Sequence, residues 1–454
     1  MKKLIGMLTL AAAIALTACG PGSSTGTGGG SGGGTGGGAG GGSGVSGDVT
    51  ADITVNTTWK KDTVYTLKTL IYVTGGATLT IEPGTVIQGD RASALVVARD
   101  GKLVAAGTAT EPIVFTSSLP AGQRGGPQGD WGGLVLNGKA TINVTGGENN
   151  AEGLADEPRN KYGGGATPDD THDCGTLKYV RVEYAGRALS ADNELNGITL
   201  NACGSATTVD FVQVHRGVDD GIELFGGKVN LKHVVITGSD DDGLDWDQGW
   251  TGKAQFVVVQ QINGRGNYGI EADSNRTNND LMPRSAPTLY NVTLVGRNPD
   301  TTPSEGPSRG MMLRQGTAGV LANVIVTSFT SNALTVDQAA TASQWNSGAL
   351  KVQNSIFFNN PSVGWQAVTG SMPDNMFDEA MALSDVSLAN RDVDPQLTNP
   401  MNEAAPSFKP LAGSPALTGG ATPPNDGFFD VTATFIGAVG ATDWTQGWTT
   451  FAAN

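Results

Sequence analysis

"VDDGIELFGG" occupies residues 218–227 and "DDDGLDWDQG" occupies 240–249. Each places two aspartates, a glycine, an aliphatic residue and another acid in the same order. The glycines, Gly221 and Gly243, are 22 residues apart. The unit recurs as Gly197-Ile198-Thr199-Leu200, Gly269-Ile270-Glu271-Ala272, Gly310-Met311-Met312-Leu313 and Ala333-Leu334-Thr335-Val336. In chain order the steps are 24, 22, 26, 41 and 23. The one long step contains "SNRTNNDLMPRSAP" and "RNPDTTPSEGPS", which read as loops.

A second series interleaves with the first: "LKYVRVEY", "VDFVQVHR", "LKHVVITG", "QFVVVQQ", "LYNVTLVG", "LANVIVTS" and "VQNSIFFN". Both series are rich in β-branched residues and alternate with period two. Two strand series returning about every 22 residues predict a solenoid, each turn of chain being one coil. A coil has no core of its own and gains one by stacking on its neighbours. The expected fold is therefore all-β, a right-handed single-stranded parallel β-helix. The aliphatic residue after each glycine points inward and the acid outward. The glycine is expected to permit the corner. Asn291, Asn323 and Asn354 hold the same place in three consecutive coils and predict an inward asparagine ladder.

The composition agrees. Among 454 residues, 67 are glycine and only 16% are charged, which suits a turn-rich β protein. With 28 lysines and arginines against 43 acids, the net charge is −15. Such a surface repels nucleic acid and suits cations.

The chain opens "MKKLIGMLTLAAAIALTAC", two lysines followed by a short apolar run and small residues. This reads as a secretory signal over 1–18. Its last four residues resemble the bacterial lipobox. That resemblance implies cleavage before Cys19, acylation of Cys19 and, with Gly20 rather than aspartate following, residence at the outer membrane. Residues 19–48 then hold the lipidated cysteine and a Gly/Ser-rich tether with a mean reach of about 30 Å. The β-helix is expected over 49–370, with a C-terminal capping segment over 371–454 and the strands near 50–82 capping the other end. The remaining cysteines, Cys174 and Cys203, form an even pair in a compartment that permits a disulfide. They lack the partners for a zinc site.

"TLTIEPGTVIQG", "GDWGGLVLNGKA", "GTLKYVRVEYAG", "ELNGITLNACGSATTVDFVQV", "DDGIELFGGKVNLKHVV" and "ATDWTQGWTTF" resemble the pectin-lyase-like β-helix superfamily. More closely they resemble bacterial surface β-helix lipoproteins. The likeness covers roughly 65–454. It implies export, leaves a role in surface binding open and implies no particular activity. The expected function is a non-enzymatic surface binding or scaffold module, with glycans or envelope proteins as partners and Ca²⁺ assisting.

Stacked coils would place Glu223, Asp245 and Glu271 in one outward file about 4.8 Å apart. Asp247 and Asp273 lie two residues further along. Bare carboxylates at that distance repel unless protonated, bridged by a cation or left to solvent. Ca²⁺ takes six to eight oxygens, so the candidate ligands are Glu223, Asp245, Asp247, Glu271 and Asp273. The bland alternative is a solvated acidic face partly neutralised by Arg314.

A third reading is catalytic. Asp219, Asp220, Asp241, Asp242 and Asp245 are the candidates for a polysaccharide-degrading site, a lyase or a glycosidase. Polygalacturonase-type relatives carry "NTD" and "DD" one coil apart, but their "GHG" and "RIK" motifs have no match here. The histidines His215 and His233 read as surface strand residues. A lyase would need Ca²⁺ and a basic residue, with Arg265, Arg276, Arg284 and Arg314 as candidates. Trp250, Tyr268, Trp345 and Trp365 are candidates for stacking on sugars. Trp246 falls at an inward position and reads as core.

Overall fold

The computed structural model describes residues 45–187, 194–300, 306–361 and 377–454. The signal segment, Cys19 and Trp365 lie outside the described residues. Two long all-parallel sheets, of 15 and 9 strands, carry the fold. In the smaller one, Ile198 pairs with Ile222, Ile222 with Leu244, Leu244 with Ile270, Ile270 with Met311 and Met311 with Leu334. These six side chains are fully buried in one core. The spacing of the glycine units thus becomes the register of a sheet, and the chain is an all-β parallel β-helix. Trp246 is inside, as its phase predicts, with its indole N–H donating to Thr317 Oγ1 at 3.1 Å.

The glycines serve a different purpose from the one expected. Gly197, Gly221 and Gly243 do not adopt left-handed backbone. A Cβ on Gly243 would lie 2.3 Å from Val259 Cγ1 and 2.6 Å from the carbonyl oxygen of Gly269. Glycine lets one coil sit close upon the next.

The larger sheet holds long strands, among them Gly175–Glu183, Thr208–His215, Asn230–Thr237, Lys253–Gln260, Thr288–Val295 and Gly319–Thr327. Each turns a corner midway at one residue with positive φ. These residues are Tyr179, Phe211, His233, Phe256, Asn291 and Asn323, with Asn354 continuing the file. Left-handed backbone costs an ordinary residue about 1–2 kcal/mol, and asparagine less. The aromatic members offset this by stacking: Tyr179 on Phe211 at 4.4 Å, Phe211 on His233 at 4.2 Å and His233 on Phe256 at 5.0 Å.

This corner corrects two expectations. The asparagines do not stack inward on one another. Their amides face the C-terminal chain, Asn291 donating to Phe435 O at 2.7 Å, Asn323 to Ala421 O at 2.9 Å and Asn354 to Gly419 O at 3.3 Å. A residue in left-handed backbone breaks the in–out alternation, so strand phase misplaces its side chain. Nor are the two histidines open surface residues. His233 belongs to the aromatic file, and His215 is buried, its Nε2 2.8 Å from Ala452 O. Burial pushes the His215 imidazole down to about 3, so it is neutral.

The ends also differ from expectation. Thr63–Leu67, Leu70–Val73 and Thr78–Ile81 are no separate cap but a complete coil paired in parallel with the next. At the other end, Phe377 and Leu383 enter the core and Glu379 accepts the edge amide of Val336 at 3.0 Å. "SFKPLAGSPAL" and "TFIGAVGATDWTQGWTTF" do not close the open end of the last coil, although Ala416 and Ile436 pack on its outer face at Ile356. They return along the outer flank, Phe408 and Trp448 packing with Val235, Val258 and Val295. The apolar outer faces of these strands need a cover, and this segment supplies it.

Between Leu134–Asn137 and Gly175–Glu183 the chain leaves the coil and folds over the outside of the smaller sheet. Ile142, Ala151, Leu154 and Tyr162 pack there with Val96, Val135 and Phe225. A disulfide joins Cys174 and Cys203, with Cα atoms 5.8 Å apart, and pins the return of this excursion to the solenoid. Closing a loop of this length contributes about 3.5 kcal/mol. The Cys174→Ala/Cys203→Ala variant is therefore expected to melt several degrees lower by circular dichroism. An unchanged melting temperature would contradict a stabilising role. Among the described residues no helix is long and apolar enough to cross a membrane.

Candidate metal centre

The file of outward acids forms by strand pairing. Glu223 pairs with Asp245 and Asp245 with Glu271. At the preceding corner, Asp219–Asp220 and Asp241–Asp242 stand one coil apart, and the amide of Asp242 donates to Asp220 Oδ1 at 2.9 Å. The Tyr268 amide donates to Asp242 Oδ1 at 2.6 Å. These backbone bonds fix the direction of the corner carboxylates.

The inner part of this face is shut off from solvent, with Asp220, Glu223, Asp242 and Asp245 buried, and the reading of the whole file as a solvated surface is corrected there; Asp219, Asp241 and Glu271 keep partial contact with water. Glu152 from the excursion, and Glu194 and Asn196 from the strand approach, form a facing wall. Gly153, with a φ of +71° that disfavours other residues, allows this approach: a Cβ there would lie 2.6 Å from Leu195 Cδ2. The result is a cavity of about 260 Å³ lined by Glu152, Glu194, Asn196, Asp219, Asp220, Glu223, Asp241, Asp242, Asp245 and Glu271. Asn196 donates to Glu223 Oε2 at 2.5 Å. Asp245 is only 8% exposed and Asn196 only 1%, yet among the described residues Asp245 Oδ1 and Asn196 Oδ1 have no hydrogen-bond partner. Buried oxygens without donors call for something electropositive.

The sequence profile of one known family, described as a pectate-lyase-like beta helix domain, matches residues 51–399. The chain belongs to this family. No curated protein and no solved structure matches it. The family description fits the coil geometry, but a fold does not carry its chemistry with it, so the site must be read from its own residues.

Of the proposed ligands, this pectate-lyase-like chain gathers Glu223, Asp245 and Glu271 at the cavity, together with Asp219, Asp220, Asp241 and Asp242. It does not bring in Asp247 and Asp273, which is a correction. Asp273 is held by Arg314 Nε at 2.7 Å, and Asp247 Oδ1 accepts the Gln248 amide at 2.6 Å. Arg314 also reaches Glu271 Oε2 at 2.5 Å, so it closes one end of the acid file.

The proposed sugar-stacking residues are corrected as well. Trp250 is fully buried, its indole N–H donating to Val229 O at 3.0 Å. Tyr268 is 8% exposed and lies beneath the Arg309 guanidinium, 5.3 Å from its ring centre. Trp345 packs edge-on against Phe377, away from the acids. Glu152, Glu194 and Asn196 are members of the site that strand phase did not predict. They come from the excursion and from the approach to a strand, where no coil period applies.

Burial and mutual repulsion dominate the electrostatics. Asp219 is pushed up to about 8, first by burial and then by the charges of Glu194 and Asp241. Burial raises Glu271 to about 7, against the pull of Arg314. Asp220, Glu223, Asp242 and Asp245 are all raised well above the usual carboxylate range, by burial and then by neighbouring acids. The site needs positive charge, from protons or from metal.

Catalysis fits less well. Among the described residues no lysine, arginine or histidine lines the cavity. Arg265 is tied to Asp240 at 2.6 Å, and Arg284 to Asp280 at 2.7 Å. Glu271 and Asp273 hold Arg314 protonated, well above its usual range, so it is no base for a lyase. Arg276 is exposed and does not line the cavity. Organic ligands favour pockets of roughly 300–1,000 Å³ with mostly apolar walls. This one is smaller and almost wholly carboxylate.

Proposed function

We propose that the chain is a non-enzymatic binding module of the cell envelope whose acid cavity takes a divalent cation, Ca²⁺ before Mg²⁺. The observation that carries this reading is the donor set: nine carboxylates and one carboxamide around one cavity, with buried oxygens left without donors. An all-oxygen set of uneven geometry suits Ca²⁺, which accepts six to eight ligands, better than Mg²⁺, which demands an octahedron and retains water. On this reading Cys19 carries the lipid anchor at the outer membrane and the glycine-rich tether spaces the solenoid from it. A stable anchor of this kind needs more than one acyl chain. Glycans and envelope proteins remain the partner classes, engaged without aromatic stacking at the acid face.

Calorimetric titration of the chelator-treated protein at pH 8 tests the reading. Saturable Ca²⁺ binding is expected, weakened at least tenfold in Asp245→Asn. Absence of binding heat and of any melting shift would remove the cation proposal. Acidic polysaccharides are expected to yield no new reducing ends and no unsaturated uronates. Turnover abolished by Asp241→Asn and Asp242→Asn would establish the enzymatic alternative instead.

A further inference from the structure

We infer that the acid cavity is built for two divalent cations, an outer and an inner one, with Glu223 between them. This deepens the cation reading above and rests on it. The carboxylates form three trios whose ligand oxygens lie within 4.8 Å of one another: Asp219–Asp220–Asp241, Asp220–Glu223–Asp245 and Asp242–Asp245–Glu271. Three oxygens at the corners of such a triangle stand about 2.8 Å from its centre, so a slight contraction reaches the 2.3–2.6 Å of a Ca²⁺–oxygen bond.

The way the trios share members decides the number of ions. The outer and inner trios have no residue in common, so both can be filled. The middle trio borrows Asp220 from one and Asp245 from the other. An ion there would compete for both carboxylates, whereas Glu223 is free to bridge its neighbours. Asn196 holds Glu223 Oε2 at 2.5 Å, which leaves the carboxylate oriented between the two positions. The unpartnered Asp245 Oδ1, on a residue more than nine-tenths buried, calls for a ligand at the buried end of the cavity independently of the acid count, and the sharing of Asp220 places that ligand in the inner trio.

Charge favours a second ion without fixing the number. One dication among nine carboxylates leaves most of the charge unbalanced, and Arg314 balances Glu271 alone within the lining. The two positions also differ in access. Asp219 and Asp241 are half-buried, and with Glu194 they line a second hollow of about 180 Å³. Asp242 and Asp245 are buried. The outer ion should exchange with solvent more readily than the inner one.

Equilibrium dialysis of the full chain against radioactive Ca²⁺ at pH 8, after chelator treatment, counts the ions. Two per chain are expected for the unaltered protein. Asp219→Asn/Asp241→Asn, at half-exposed positions that folding tolerates, is expected to retain one. Glu271→Gln is expected to lose the inner ion and retain the outer. One ion in the unaltered protein overturns this inference and leaves the cation reading standing. None overturns both. Two ions surviving in Asp219→Asn/Asp241→Asn overturn the assignment of the outer position.

Discussion

In chelator, the folded body is expected to lose stability steadily as pH rises from about 4 to about 8, and excess Ca²⁺ is expected to remove most of that loss. The direction follows from the raised carboxyls. Unfolded aspartate and glutamate titrate near pH 4. In the folded chain Asp219 titrates at about 8, and Glu271 and Asp247 at about 7. Over that interval the folded state therefore binds more protons than the unfolded state, and stability falls as pH rises. Each unit of displacement corresponds to about 1.4 kcal/mol. Several coupled acids together make a loss of at least several kcal/mol. Ca²⁺ at a thousand times its dissociation constant returns about 4 kcal/mol per site. Thermal melts at pH 5 and pH 8, with chelator and with Ca²⁺, measure both effects. A melting temperature that rises from pH 5 to pH 8 in chelator would contradict the charge distribution described for the cavity.

Replacing Arg314 is expected to have the next largest effect. The guanidinium neutralises Glu271 and Asp273 together, and both acids are largely buried. Removing one partner of a buried ion pair costs about 3–5 kcal/mol, because the other charge remains without compensation. Arg314→Gln should show that loss in urea melts at pH 8. At pH 5 the two acids take up protons and the loss should shrink. Arg314→Lys keeps the charge but not the two-sided geometry, and should fall between. Equal loss at both pH values would mean that Arg314 acts through packing rather than charge.

The fold was legible because its signal repeats. Ile198, Ile222, Leu244 and Ile270 share a phase, and that phase became a column of paired residues in the core. The acid file was legible for the same reason, since Glu223, Asp245 and Glu271 each follow one of those residues. What covers the file was not. Leu134 and Ile198 pair directly although 64 positions separate them, and the intervening chain has no coil period to read. Its length was the available signal that something folds outside the solenoid there. Trp250 misled because it follows "DWDQG" at a corner, where a residue can turn either way. Its indole found the Val229 carbonyl inside. The asparagine positions were readable but their direction was not, because positive φ is a property of the corner and strand alternation fails there.

The returning C-terminal segment has a consequence for how the molecule is made. A solenoid alone can be completed coil by coil as the chain is delivered, since each turn touches only its neighbours. Here Arg181 donates to Trp448 O across 267 positions, and Gln213 exchanges hydrogen bonds with Thr450 across 237. The aromatic corners of the early coils are therefore sheltered from water only once Trp444 and Trp448 pack on Tyr179, Phe211 and His233. Chains cut short before this segment would present those corners to proteases and chaperones. The segment carrying Trp444 and Trp448 thus acts as a late latch, fastening the first half of the solenoid only after the coils in between have been made.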